Sequence, residues 1–276
     1  MELEHLDIVS RCIGQTLNAQ ERSSLEIGLL KRKATESLAS IRFWGRVTGE
    51  TSDYLIAVGT LLARDYPKKK FYFCTNSSPE LQQFPELTKA KSEAAAKLTS
   101  RLKGDPSLIL GNMAGDEAAA ANNPEDGGGG DSVFTELDRL AYVVDQIDRT
   151  IAVVPLEAQV VSPMRQVVPN ASFRGLKWEQ ALQLFNYFHF REPDLPERAK
   201  AVHQSEGLVR ASDFLDPLIQ DLDGSWSLAK DNTGSVVTLR NLFYPGAFAF
   251  HQPETPHHGC VYFGDGRKNP DLAFML

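Results

Sequence analysis

Two blocks of strand-patterned residues near opposite ends of the chain constrain its fold more than any other feature. In the first, Phe43-Trp44-Gly45-Arg46-Val47 and Tyr54-Leu55-Ile56-Ala57-Val58 flank the turn-prone run Gly49-Glu50-Thr51-Ser52-Asp53, and Lys70-Phe71-Tyr72-Phe73-Cys74 follows. β-branched and aromatic residues on both sides of a turn signal predict an antiparallel hairpin with a third strand added. In the second, Trp226-Ser227-Leu228 and Val236-Val237-Thr238-Leu239 flank Asp231-Asn232-Thr233-Gly234. Pro245-Gly246 then turns the chain into Phe248-Ala249-Phe250 and Val261-Tyr262-Phe263, two further strands. Gly45 and Gly59 interrupt strand patterns and predict bulges or close backbone approach. The stretches between read mostly as helix. The class is therefore α+β, with antiparallel β meanders near residues 41–75 and 224–266 and helices at the N-terminus and between them.

The helical readings rest on apolar residues recurring at three- and four-residue steps. A first helix carries Leu3, Leu6, Val9 and Ile13; a second opens on Asn18 and Glu21, spaced as a capping box, and carries Ile27, Leu30, Ala34, Leu38 and Ile41 on one face. Lys31-Arg32-Lys33 sits late in that helix and reads as a solvated face suited to the helix dipole. A third helix is predicted from Pro85, with Leu87, Ala90, Ala94, Leu98 and Leu102 as its stripe and Gly104-Asp105-Pro106 as its stop. Phe134, Leu137, Ala141, Val144 and Ile147 mark a fourth, which runs into a strand at Ile151–Val154 stopped by Pro155. Another strand is expected around Gln159–Val161. Leu176, Ala181, Phe185 and Phe188 predict one more helix, broken at Arg191-Glu192-Pro193, and short helices follow around Glu197–Gln204 and Ser212–Leu215.

Charge divides the chain differently. The net charge is −7 over 276 residues, and residues 111–132 supply five of those charges through Asp116, Glu117, Glu125, Asp126 and Asp131, with no Lys or Arg. This acidic, Gly-rich stretch has almost no large apolar side chains and is expected to be a disordered loop. Its four consecutive glycines lack the Gly-Lys-Ser/Thr ending of a phosphate-binding loop. The expected organisation is 1–40 as N-terminal helices, 41–110 as β meander plus helix, 111–132 as the loop, and 133–276 as helices and an aromatic β region. Residues 41–110 and 133–276 are read as one domain. The near-neutral remainder argues against a dedicated nucleic-acid surface. Three cysteines without CxxC spacing and an N-terminus without a basic-apolar leader suggest a reduced, intracellular protein. No stretch reaches the ~20 apolar residues of a membrane span.

Reacting groups are scarce. His251, His257, His258 and Cys260 are all zinc-ligating types, and they define the alternative reading of an enzyme or metal-binding protein. Their spacing fits no standard ligand set, and Pro253 and Pro256 look like loop punctuation. Cys74 and Cys260 lie in apolar strand patterns, where inert buried thiols are usual. Asp145 and Asp148 share a helical face that Gln146 and Arg149 mark as wet. Trp44-Gly45-Arg46 echoes a tripeptide of some nucleic-acid-associated domains. No catalytic, cofactor-binding or metal residue is assigned, and no cofactor is expected. Aromatic residues are the positive signal: strand alternation predicts that some of Tyr244, Phe248 and Tyr262 face outward for a partner to cover. The apolar ending Leu272-Ala273-Phe274-Met275-Leu276 is expected to dock in cis or in trans.

The same residues carry a resemblance. Phe43-Trp44-Gly45-Arg46, Asp53-Tyr54-Leu55-Ile56-Ala57, Val144-Asp145-Gln146-Ile147-Asp148, Tyr187-Phe188-His189-Phe190-Arg191-Glu192-Pro193, Gly224-Ser225-Trp226-Ser227 and Leu239-Arg240-Asn241-Leu242 with Pro245-Gly246 match in order. So does the ending Gly264-Asp265-Gly266-Arg267-Lys268-Asn269 through Asp271–Leu276. Together they make residues 40–276 similar to the radial spoke head protein family of cilia and flagella. The first forty residues and the 111–132 loop match weakly. The resemblance implies a non-enzymatic subunit of the axonemal radial spoke head. It also implies association with family members 4 and 6, spoke proteins 1 and 10 and a second copy of the chain, and a head that relays mechanical signals from the central pair to the dyneins.

Overall fold

One sheet organises the molecule, and it is assembled from both ends of the chain. The structure, a computed structural model, describes residues 1–61, 65–75, 78, 80–112, 133–204 and 211–275. Strands β1 (Ser40–Val47), β2 (Tyr54–Leu61) and β3 (Lys68–Thr75) form the N-terminal meander, bordered by the two-residue β4 (Gln82–Gln83). Strands β11 (Trp226–Lys230), β12 (Val237–Asn241), β13 (Ala247–His251) and β14 (His258–Gly264) form the C-terminal meander. β1 and β14 then pair in parallel, Gly45 opposite Tyr262 and Val47 opposite Gly264, so the two meanders fuse into an eight-stranded sheet ordered β11-β12-β13-β14-β1-β2-β3-β4. The remaining strands form two-stranded pairs: β5 (Ile109–Asn112) with β6 (Val133–Thr135), β7 (Val153–Pro155) with β10 (Tyr187–His189), and β8 (Gln159–Val161) with β9 (Val167–Pro169).

Gly45 permits the fusion. The pairing of β1 with β2 shifts register between Phe43 and Gly45, and a Cβ on Gly45 would lie 2.3 Å from the Tyr262 carbonyl oxygen. Any other residue would hold β1 away from β14.

Both faces of the sheet are buried, with side chains alternating between them as strand geometry requires. One face presents Phe43, Leu55, Ala57, Tyr72, Cys74, Phe248, Phe250 and Val261 to the N-terminal helices α1 (Leu6–Ile13) and α2 (Ala19–Thr35), which contribute Leu6, Val9 and Leu25. The other presents Trp44, Tyr54, Ile56, Phe73 and Tyr262 to α4 (Glu136–Ile151), which contributes Leu140, Ala141, Val144, Ile147 and Ile151. Beside α4, Val237, Leu239 and Ala249 extend that second face onto Leu176, Tyr187 and Leu218.

The elements differ from expectation where local pattern and tertiary contact compete. The capping box of α2 is present in full, each side chain of Asn18 and Glu21 accepting from the other's backbone N–H. Its expected apolar stripe is not the packed face: Ile27 and Leu30 are 68% and 64% exposed, Leu25 is buried, and Leu38 and Ile41 lie beyond the helix end. The helix predicted from Pro85 shortens to α3 (Lys89–Ala96), capped by Thr88, with Lys91 and Ala95 as its buried residues. Leu102 reaches the core from a non-helical segment. The helix predicted through Phe188 is the single turn α5 (Trp178–Ala181) and then strand β10, because Tyr187–His189 hydrogen-bond across to β7. The two short helices appear as α6 (Pro196–Gln204) and α7 (Ala211–Phe214), and α8 (Leu272–Met275) ends the chain. Of the expected 111–132 loop, Gly111 and Asn112 belong to β5, paired with Phe134 and Val133; 113–132 lie outside the described residues.

Candidate functional site

The sequence-singled histidines sit at the β13–β14 hairpin, and hydrogen bonding already occupies them. His251 is fully buried; its Nε2 accepts the Leu176 N–H at 3.1 Å, which leaves Nδ1–H to donate to the His257 carbonyl at 3.3 Å. Burial lowers its pKa to about 4, and an imidazolium would also point a second proton at the Leu176 amide. His257 shares a hydrogen bond with His5, Nδ1 to Nε2 at 3.1 Å, and His258 Nδ1 lies 3.0 Å from the Pro256 carbonyl. Phe173 stacks on His251 at 5.9 Å between ring centroids. Among the described residues no group of three or more His, Cys, Asp or Glu is placed to hold a metal ion. Cys74 is buried in the sheet, and burial pushes its thiol up to about 11.

The carboxylates of α4 are structural anchors. Asp148 is buried, accepting from Trp44 Nε1 at 3.0 Å and from the Lys69 ammonium. This corrects the expectation of a wet face for Asp148; only Asp145 is exposed. Glu136 is fully buried and accepts from the Tyr54 hydroxyl (2.7 Å) and from the backbone N–H groups of Lys103 (2.8 Å), Gly104 (2.7 Å) and Asp105 (3.2 Å). Asp138 holds Lys91 at 3.1 Å. Outside α4, Asp216 bridges Arg191 (3.2 Å) and Arg198 (3.4 Å), and Asp221 joins His189 (3.0 Å) to Trp226 Nε1 (2.7 Å). Trp44, His189, Arg191 and Trp226, all within the resembling segments, are thus spent on internal bonds. Arg46 pairs with Glu21 at 2.6 Å and Asp53 at 3.7 Å, so Trp44-Gly45-Arg46 offers no free phosphate-binding surface.

Tyr244, Phe248 and Tyr262 are all buried, at 3%, 2% and 0% exposure, which overturns the expectation of outward rings. Alternation does send them to opposite faces, but helices cover both. Among the described residues the exposed aromatics are Phe185 and Phe274. Phe274 belongs to α8, where Leu272 packs in cis at 2% exposure while Phe274 stands 89% exposed.

What the sequence did not disclose is a groove of about 910 Å³ bounded by the end of α3, by α4 and by the backbone around Pro245 and residues 264–270. Its floor includes Val143, Tyr244 and Phe263, and Arg139, Arg267 and Lys268 line it. The closely spaced Pro245-Gly246 and Gly264-Asp265-Gly266 were the available signal. A Cβ on Gly246, whose φ is 95°, would meet the Phe263 carbonyl oxygen at 2.1 Å, so the rim needs glycine to pack backbone against backbone.

Comparison with known proteins assigns this architecture. Residues 2–108 match the family model described as radial spokehead-like protein. The chain is 38% identical to the radial spoke head protein 9 homolog of Danio rerio over 271 residues, covering 95% of this chain and 94% of the relative. It is 34% identical to the homologs of Bos taurus and Homo sapiens, again over 95% and 94% of the two lengths. The chain belongs to the radial spoke head protein 9 family.

For a radial spoke head protein 9 family member the first forty residues, weakest in the resemblance, lie inside the matched family span, and they form the helices that close one face of the sheet. Family membership implies a structural role in the radial spoke head and, with it, the axoneme of cilia. Among the described residues no helix is long and apolar enough to cross a membrane.

Proposed function

We propose that this chain is a non-catalytic subunit of the axonemal radial spoke head in motile cilia and flagella, helping to assemble the head and to relay mechanical signals from the central pair to the dyneins. Full-length identity to the relatives carries this reading. Physical support comes from the sheet: a relay by contact needs a stiff body, and a sheet packed on both faces has low compressibility. Its partners on this reading are the head proteins numbered 4 and 6, proteins 1 and 10 and a second copy of the chain, with transient contact between the head and central pair projections. Residues 41–110 and 133–276 act as one radial spoke head domain, a reading supported by the shared sheet.

The test is replacement of the endogenous protein in ciliated cells by a chain lacking Asp271–Leu276. The expected outcome is a chain that fails to enter spoke heads, with altered beating, and because Leu272 packs in cis a melt of the purified truncated protein separates lost contact from lost folding. Normal incorporation of the truncated chain would refute a role for the tail, and a chain absent from motile axonemes altogether would refute the assignment.

A further inference from the structure

The groove beside α4 has the wrong charge for the molecule that carries it. The chain as a whole is at −7, yet the side chains that reach the groove include three cations and a single carboxylate. That carboxylate, Asp265, is taken by Arg267, whose Nε lies 2.7 Å away. Lys268 forms no ion pair among the described residues; its ammonium lies over the rings of Phe243 and Tyr244, at 5.4 and 5.9 Å from their centroids.

Arg139 adds buried positive charge to the groove wall. It is 4% exposed and lines the groove, and its Nε has no hydrogen-bond partner. Its two other guanidinium nitrogens donate to the Ser100 hydroxyl (3.2 Å) and to the Ser100 carbonyl oxygen. No carboxylate of the described residues touches it; Glu136, one turn earlier on α4, accepts from Tyr54 and from backbone amides of residues 103–105 and offsets part of the Arg139 charge at longer range. The positive charge of the groove is thus compensated only in part from within the described residues, and Lys268, at an exposed position, stays available to a partner's carboxylate.

The rim around these groups is fixed in advance. The Gly266 N–H donates to the Tyr262 hydroxyl at 2.9 Å, and the Asn269 N–H donates to the Phe243 carbonyl at 2.8 Å. A rigid, apolar-floored trough with excess positive charge suits a chain segment that brings carboxylates and apolar side chains together.

We propose that this groove docks a short acidic-apolar segment of a partner polypeptide, its carboxylate meeting Lys268 at the rim and its apolar side chain filling the trough over Val143. The inference deepens the reading of the chain as a contact-making subunit, but its test uses the isolated protein and so fails independently of spoke incorporation.

The experiment selects random short peptides displayed on phage against the full-length chain and measures the affinity of those enriched. Peptides combining Asp or Glu with Leu, Ile or Phe are expected. Arg267→Glu with Lys268→Glu, both at exposed positions, is expected to weaken them about tenfold or more, and raising salt from about 50 to 300 mM to weaken them several-fold. Leu98→Asp at the groove edge is expected to do the same without shifting the melting temperature, and Lys33→Glu on α2 to do nothing. Enrichment of neutral or basic peptides, no enrichment at all, or affinities indifferent to the double reversal each overturn the proposal. So does displacement of the peptides by inorganic phosphate at equal concentration, which reduces the groove to a simple anion site.

Discussion

The two faces of the central sheet are closed by different chemistry. On the α1–α2 face the contact is hydrocarbon: Leu6, Val9 and Leu25 against Phe43, Phe248 and Phe250. Few polar bonds join it: the buried Met1 ammonium donates to the Phe43 carbonyl at 2.7 Å, Arg46 pairs with Glu21 of α2 at 2.6 Å, and the Tyr72 hydroxyl donates to Glu36 at 2.8 Å. On the α4 face, Glu136, Asp138 and Asp148 are buried with the apolar residues and matched to named donors on the strands, on α3 and on the 103–105 loop. Apolar contact is non-directional and tolerates small shifts. A buried carboxylate does not, because each displaced bond leaves a dry donor or acceptor unsatisfied. α4 is therefore registered chiefly by its buried carboxylates, and α2 chiefly by volume, with the Arg46–Glu21 pair at its start.

Four measurements can break or sharpen that contrast. The largest effect is expected for Glu136→Ala, which orphans the Tyr54 hydroxyl and three backbone N–H groups. At about 1 kcal/mol or more for each, denaturant unfolding should show a loss of about 4 kcal/mol. A loss no greater than that of a surface substitution would end the idea that carboxylates register α4.

His251, on the α4 face by strand alternation from Ala247 and Ala249, is read by pH. Its pKa falls from 6.5 to about 4 on folding, so as pH drops the unfolded chain takes the proton first. Stability is full above pH 6.5 and is lost as pH falls toward about 4, by up to about 3 kcal/mol. Melting temperature against pH should lose that part of its slope in His251→Gln. An unchanged slope would show that the imidazole titrates freely.

Next comes Trp44→Phe, which keeps the ring in the core but leaves Asp148 Oδ1 without its indole donor. About 1–3 kcal/mol should be lost, and Lys69, the carboxylate's other partner, sets how much. The smallest effect is expected on the opposite face, where Leu25→Val removes one methylene from the apolar contact. Its cost should be about 1 kcal/mol, with the α2 capping box unaffected. If Leu25→Val proves as damaging as Trp44→Phe, the two faces are not different in kind.

Much of this was legible in the residues themselves. Strands at 43–47, 54–58, 70–74, 226–228, 236–239, 248–250 and 261–263 all lie within observed strands or within a residue of them, because period-two patterning between turn signals is local. The Asn18–Glu21 box and the α4 stripe follow for the same reason. Tyr187–His189 misled because an aromatic run after a helical start suits either structure, and pairing with β7 decided it. The burial of Tyr244, Phe248 and Tyr262 was hidden because the helices that cover both faces lie far away in sequence. The groove was hidden too: its walls come from α3, α4 and the last strand, and no local pattern announces that Arg139, Arg267 and Lys268 will line one trough.

The sequence by itself determined the strands of both meanders, the start of α2 at its capping box, the apolar stripe of α4 from Leu137 onward, and the family to which the chain belongs. Those properties depend on neighbours a few residues apart. Only the tertiary structure decided that two meanders become one sheet through the parallel β1–β14 pair, and that Glu136, Asp138 and Asp148 of α4 turn inward. Parallel pairing and the matching of buried charges join residues distant in the chain, and the free energy that selects them exists only when the partners have met.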